Sequence, residues 1–142
     1  MQLKKLELLA PAKNKEIGIA AIACGADAVY IAGPAFGARE AAGNSVAAIA
    51  ELADYAHKYG ARVYATVNTL LEGDSEYRAA VDLLNQLYNA GVDAALIQDF
   101  KLLDMPGLHP LELHASTQAV CRNVEQATML ESLGFSRLVL ER

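Results

Sequence analysis

Four apolar runs of similar form recur along the chain, and each begins with a glycine. They are GADAVYIAG (25–33), GARVYATVNT (60–69), GVDAALIQD (91–99) and GFSRLVLER (134–142). Each follows a stretch in which apolar residues return every three or four positions, the spacing of one helix face. Strand-like runs that alternate with helical stretches predict βαβ units and a parallel sheet.

Two further runs, LELLAP (6–11) and LELHAST (111–117), bring the number of predicted strands to six. The fourth crossover (100–110) contains Pro106 and Pro110, which allow only a short helical turn. The first strand runs into APAKNKE, which lacks the glycine-rich phosphate loop of a doubly wound sheet. We therefore predict six parallel strands and about five helices of a (β/α)8 TIM-type barrel, a fold of about 250 residues. Residues 1–142 would be a single N-terminal segment of it, truncated before the remaining strands.

Side chains alternate between the two faces of a strand, which predicts the residues that point toward the barrel axis. In the third strand Val63 and Ala65 face the helices, whereas Tyr64 and Asn68 face inward. Inward polar residues gather at the carboxyl ends of the strands, where enzymes of this architecture build their sites. The predicted cluster is Asn68, Gln98, His114, Ser116, Gln118 and Glu141.

From this cluster and its neighbours we select candidates for binding and for catalysis. The substrate-binding candidates are Arg39, Asn68, Gln98, Ser116, Thr117 and Gln118. Groups such as His114, Glu141 and Asp99 could polarise a water molecule, so they are the catalytic candidates. His114 as a hydrogen-bonded core residue, and Arg39 in a solvated pair with Glu40, remain alternatives.

Charge and cysteine spacing exclude several classes of site. The net charge of −5 and the pI near 5.1 argue against a nucleic-acid partner for this segment. No apolar run reaches transmembrane length, and the first residues lack the pattern of a signal peptide, so a cytoplasmic location is expected. Cys24 and Cys121 lie far apart and have no neighbours at ligand spacing. We predict two reduced thiols and no metal site in this chain.

Four stretches together resemble a known family. LELLAPAKNKE, GADAVYIAGPAFGAREAAGN, VYATVNTLL and ELHASTQAVCRN are similar to the N-terminal barrel region of the collagenase-like U32 peptidases. One departure is Lys13, where the family usually has glycine. The resemblance implies a collagenase-like protease, of which this chain would be the substrate-binding half, with a peptide held at the barrel mouth.

The same resemblance implies an alternative function. Relatives in this family act in oxygen-independent hydroxylation of RNA bases or of a quinone precursor, and several carry an iron–sulfur cluster. The resemblance places the cluster cysteines beyond this chain, so a cluster is expected in the full-length parent and no cofactor here. In that case Asn68, Gln98, Ser116 and Gln118 would position the substrate. A binding scaffold without chemistry is a third reading. The segment alone is expected to be inactive and to self-associate through its open sheet edges.

Overall fold

A computed structural model describes residues 6–37 and 43–141 of the chain. Six parallel strands follow one another in sequence order across a single sheet, which curls into part of a barrel. The strands are β1 (Leu9–Ala12), β2 (Ala28–Ala32), β3 (Arg62–Val67), β4 (Ala94–Ile97), β5 (Glu112–Ala115) and β6 (Arg137–Leu138). The helices are α1 (Lys15–Ala23), α2 (Val46–Lys58), α3 (Gly73–Asn89) and α4 (Val124–Ser132). The predicted partial TIM-type barrel is confirmed.

The crossover between β4 and β5 differs from the other four. It carries a short 3-10 helix, Phe100–Asp104, in place of an α-helix. Pro106 follows two residues later and cannot donate a backbone hydrogen bond, so the helical turn does not extend. The described residues therefore form four α-helices, one fewer than the number predicted.

Strand alternation separates two apolar clusters. The larger lies between the sheet and the helices and includes Val29, Val63 and Ala65. The smaller lies on the inner face of the sheet and includes Tyr64 and Leu96. This is the register predicted for these strands, and it sends the alternate residues of each strand into the barrel interior.

Asparagine or serine side chains cap α1, α2 and α4, whereas Glu72 before α3 makes no such side-chain bond. Asn14 accepts the N–H of Ile17 at 3.0 Å, and Ser45 accepts the N–H of Ala48 at 3.1 Å. Such caps satisfy backbone donors that have no partner within the helix. They fix where these three helices begin, and hence the length of the loop that precedes each of them.

Candidate functional site

Two polar side chains meet at the carboxyl ends of β3 and β5. Asn68 follows β3, and its Nδ2 donates a hydrogen bond to Ser116 Oγ over 3.3 Å. Ser116 follows β5 and is 2% exposed, and its Oγ also accepts the backbone N–H of Gln118. We name this contact the Asn68–Ser116 pair. The pair fixes the relative position of two loops that lie two strands apart.

The residues after β5 form a turn that carries further predicted site residues. Ser116 caps a short 3-10 helix, in which Thr117 and Gln118 are exposed. Val120 ends it in the left-handed conformation, with φ of +57° and ψ of +55°. That conformation costs about 1–2 kcal/mol for an L-residue and is rare for a β-branched one. We name residues 116–120 the β5 turn.

Hydrogen bonds also tie together the loops after β1, β2 and β3. Asn44 is buried, and its Nδ2 donates to the carbonyl oxygens of Lys13 and Ala32, each at 3.0 Å. The Thr69 hydroxyl donates to the carbonyl oxygen of Phe36 over 3.3 Å. These bonds give the carboxyl end of the barrel a connected set of loops.

The structure describes one of two other binding candidates, Gln98, but not the second, Arg39. Gln98 follows directly after β4 and is partly buried. Continuing the register of β3 and β4 by one residue places Gln98 opposite Asn68. Arg39 lies outside the described residues, so its role stays a prediction.

Asp99 faces the helices rather than the barrel interior. Its Oδ2 accepts the Tyr77 hydroxyl at 2.8 Å and the backbone N–H of Leu71 at 3.2 Å. Its Oδ1 accepts the N–H of Lys101 at 3.1 Å and so caps the 3-10 helix. The hydrogen bond to Asp99 is the main cause that raises the pKa of Tyr77. The structure therefore does not bring Asp99 to the Asn68–Ser116 pair.

Glu141 lies after β6, where Arg122 binds its carboxylate. The guanidinium Nε and Nη2 donate to the two carboxylate oxygens over 2.5 and 2.9 Å. These bonds hold the pKa of Glu141 below its usual value. A carboxylate held ionised by two such bonds suits an ion pair better than proton transfer.

Charged side chains cluster at the opposite, amino end of the strands, which the sequence patterning did not single out. Glu7 forms an ion pair with Arg137 and accepts the Tyr64 hydroxyl at 2.9 Å. The His114 ring packs edge-on against Tyr64, with 4.9 Å between ring centres. His114 Nε2 lies 3.0 Å from Glu112 Oε1. We name these five residues the floor network.

The floor network explains why His114 does not join the carboxyl-end residues. Its side chain is 1% exposed and bonds to Glu112, which begins β5. Burial is the main cause that lowers the pKa of His114. A bond from Ser136, then one from His114, lowers the pKa of Glu112. The His114 ring thus contacts Glu112 from within the core, whereas the Glu112 side chain is 44% exposed.

The family of the chain follows from its sequence as a whole. The family model of peptidase family U32 matches residues 13–142. This chain belongs to peptidase family U32. The resemblance noted in the four sequence stretches is therefore confirmed.

Individual relatives of this U32 chain carry different activities in their names. The 23S rRNA 5-hydroxycytidine C2501 synthase of Escherichia coli is 50% identical over 138 residues, which cover 97% of this chain and 21% of that protein. The tRNA hydroxylation protein P1 of Bacillus subtilis is 36% identical, over 98% of this chain and 33% of that protein. A collagenase of Porphyromonas gingivalis is 28% identical, over 88% of this chain and 30% of that protein. The chain thus spans about a fifth to a third of the length of these curated relatives.

These identities correct the expected function. We expected a collagenase-like protease, but two relatives named for RNA hydroxylation are more similar to this U32 chain than the collagenase is. The assignment as a hydrolase is therefore wrong, and the alternative that we derived from the same resemblance is favoured. A solved U32 peptidase structure superposes with a TM-score of 0.71 at 15% identity, covering 99% of this chain and 61% of its own. At that identity the likeness shows the fold alone.

The cysteines of this U32 chain do not form a cluster site. Cys24 is exposed and Cys121 is buried, and both are free thiols. Within residues 6–37 and 43–141, no three His, Cys, Asp or Glu residues are grouped so that they could hold a metal ion. The residues present therefore do not fit an iron–sulfur cluster. In the same ranges, no helix has both the length and the apolar character needed to span a bilayer.

Proposed function

We propose that this chain is a segment of an enzyme that hydroxylates RNA bases and that its carboxyl-end loops contact the substrate. The observation that carries the proposal is the 50% identity, over 97% of the chain, with a 23S rRNA 5-hydroxycytidine synthase. The identity extends across the whole barrel segment. The region matched to the synthase therefore includes the loops after β3, β4 and β5 as well as the core.

The chemistry of the carboxyl end supports this substrate. Asn68 and Ser116 are neutral groups, and amide and hydroxyl groups both donate and accept hydrogen bonds. Enzymes that act on a nucleobase read the hydrogen-bonding edge of that base in a pocket. A neutral polar pair suits such an edge better than it suits a charged group.

The net charge of −5 is compatible with this function. Phosphate contacts supply much of the affinity for a nucleic acid, whereas contacts to bases supply the specificity. The matched E. coli relative is almost five times as long as the region shared with this chain, which leaves ample surface for basic residues elsewhere. We therefore propose RNA, in place of a peptide, as the partner. We also propose that the enzyme acts in the cytoplasm.

A chimera tests the proposal. The 138 matched residues of the E. coli synthase are replaced by this chain, in a strain that lacks its own synthase. We expect 5-hydroxycytidine to return to 23S rRNA, measured by mass spectrometry of nucleosides after digestion. A soluble chimera, present in normal amounts, that leaves the rRNA unmodified would contradict the proposal.

A pair of serine variants tests the site within the chimera. Ser116→Ala removes the hydroxyl that accepts hydrogen bonds from Asn68 and from the backbone of Gln118, and we expect hydroxylation to fall by at least about tenfold, the effect of losing these two bonds. Ser132→Ala, at an exposed serine on α4, serves as the matched control and should leave hydroxylation unchanged.

A further inference from the structure

Val120 combines a left-handed backbone conformation with an exposed apolar side chain. Among the described residues, Phe36 and Val120 are the two non-glycine residues with positive φ. Phe36 packs against the main apolar cluster, and its carbonyl accepts a bond from Thr69. Val120 is 40% exposed and is a member of neither apolar cluster. Core packing therefore does not account for a branched apolar side chain in a left-handed conformation.

Val120 is held in place by its neighbours on both sides. Ser116 and Cys121 are each 2% exposed, so the β5 turn starts at one buried residue and is followed directly by another. The carbonyl of Cys121 accepts the N–H of Glu141 at 3.4 Å, and the N–H of Val120 bonds to Thr117 at 3.1 Å. Unfavourable backbone conformations persist where the surroundings over-determine them, and they concentrate at ligand sites.

We propose, building on the proposed function, that Val120, in the same turn as Ser116, presents its side chain as an apolar contact for the substrate base. A nucleobase has an apolar face and a hydrogen-bonding edge, and enzymes that act on single bases contact both. The β5 turn carries one group of each kind. Ser116 and Val120 are four residues apart in this turn, at the end of the barrel where this fold places its sites.

Three substitutions of Val120 distinguish the effect of its side chain from the effect of its backbone conformation. Val120→Gly and Val120→Asn accept the left-handed conformation but remove the apolar branch. We expect both to leave the urea unfolding midpoint of the full 142-residue chain unchanged or higher. In the chimera, both should lower the modified fraction of 23S rRNA by about five- to thirtyfold, the loss of one apolar contact. Val120→Ile retains an apolar branch and should restore most of the hydroxylation.

A second valine provides the control. Each possible result of these experiments has a different interpretation. Val124 begins α4 and is 77% exposed, so Val124→Asn should leave hydroxylation unchanged. If Val120→Gly and Val120→Asn lower stability and hydroxylation together, the role of Val120 is structural and the inference is overturned. Full hydroxylation by both variants would also overturn it. A chimera that is inactive with Val120 in place refutes the proposed function, and the inference falls with it.

Discussion

His114 makes the stability of this fold depend on pH, because burial lowers its pKa from the usual 6.5. Such a histidine binds fewer protons in the folded chain than in the unfolded chain between the two pKa values. Its contribution to stability is therefore fully present above about pH 6.5 and is lost as the pH falls through the lower, folded pKa. The Glu112 hydrogen bond opposes this effect but is the smaller of the two causes.

Urea unfolding at several pH values measures this dependence. We expect the free energy of unfolding to fall between about pH 7.5 and about pH 5.5, before most carboxylates titrate. His114→Gln should flatten that decline, since it removes the titrating ring. It should also cost about 1–3 kcal/mol at pH 7.5 through lost packing and hydrogen bonding. Parallel pH profiles for the two proteins would contradict the assignment.

Strand alternation predicted the face of the sheet for residues within the strands and for the first residue after β3 and after β5. It placed Tyr64 inward and brought Asn68 to Ser116. Asp99 was chosen as a catalytic candidate although it lies beyond the predicted inward position of Gln98, and it follows the end of β4 at Ile97, where the backbone starts a 3-10 helix. Strand alternation missed the ion pair of Glu7 with Arg137 because the two residues are 130 positions apart and meet only through the curl of the sheet.

At the scale of elements, α1 and α2 pack closely because Gly18 has no side chain. A Cβ added at Gly18 would lie 2.7 and 2.8 Å from the two Cδ atoms of Leu52, which is fully buried. Alanine favours a helix over glycine by up to about 1 kcal/mol, but overpacking a core costs about 1–3 kcal/mol. The clash should outweigh the gain, because the atoms around Leu52 leave it little room to move.

A double-mutant cycle tests this contact. Gly18→Ala should lower the free energy of unfolding by about 1–2 kcal/mol. Leu52→Val removes both Cδ atoms, so Gly18→Ala in that background should be neutral or stabilising. Urea unfolding of the four proteins gives the coupling energy. Equal effects of Gly18→Ala in both backgrounds would show that the helices do not meet as described.

The helices and strands were predictable because the spacing of the apolar residues and the positions of the glycines between them indicate the same elements. Glycines with positive φ, Gly60 and Gly91, follow α2 and α3, and the same two glycines begin apolar runs in the sequence. The strands are shorter than their apolar runs, most clearly β6, which is two residues long. Apolar character alone does not set strand length, since Leu140 in the last apolar run lies past β6 and is 64% exposed.

At the scale of the whole molecule, the sheet has two edges, and β1 and β6 are each paired on one side only within the described residues. The floor network joins these edges at the amino end, since Glu7 precedes β1 and Arg137 begins β6. Large apolar side chains flank both edges. Leu6 is 90% exposed, Leu8 60% and Leu140 64%. Unpaired strand edges beside exposed leucines are surfaces that recruit another chain.

We therefore expect the 142-residue polypeptide to self-associate, most simply as a symmetric dimer that covers these edges. Sedimentation velocity across the micromolar range measures it directly. Leu8→Lys and Leu140→Lys place a charge beside each edge, as natural edge strands do, and should together shift the equilibrium toward monomer. Lysine at Tyr59, an exposed residue after α2, provides the matched control and should leave the association unchanged. A wild-type chain that sediments as a monomer throughout that range would show that the two edges are stable in water without a partner.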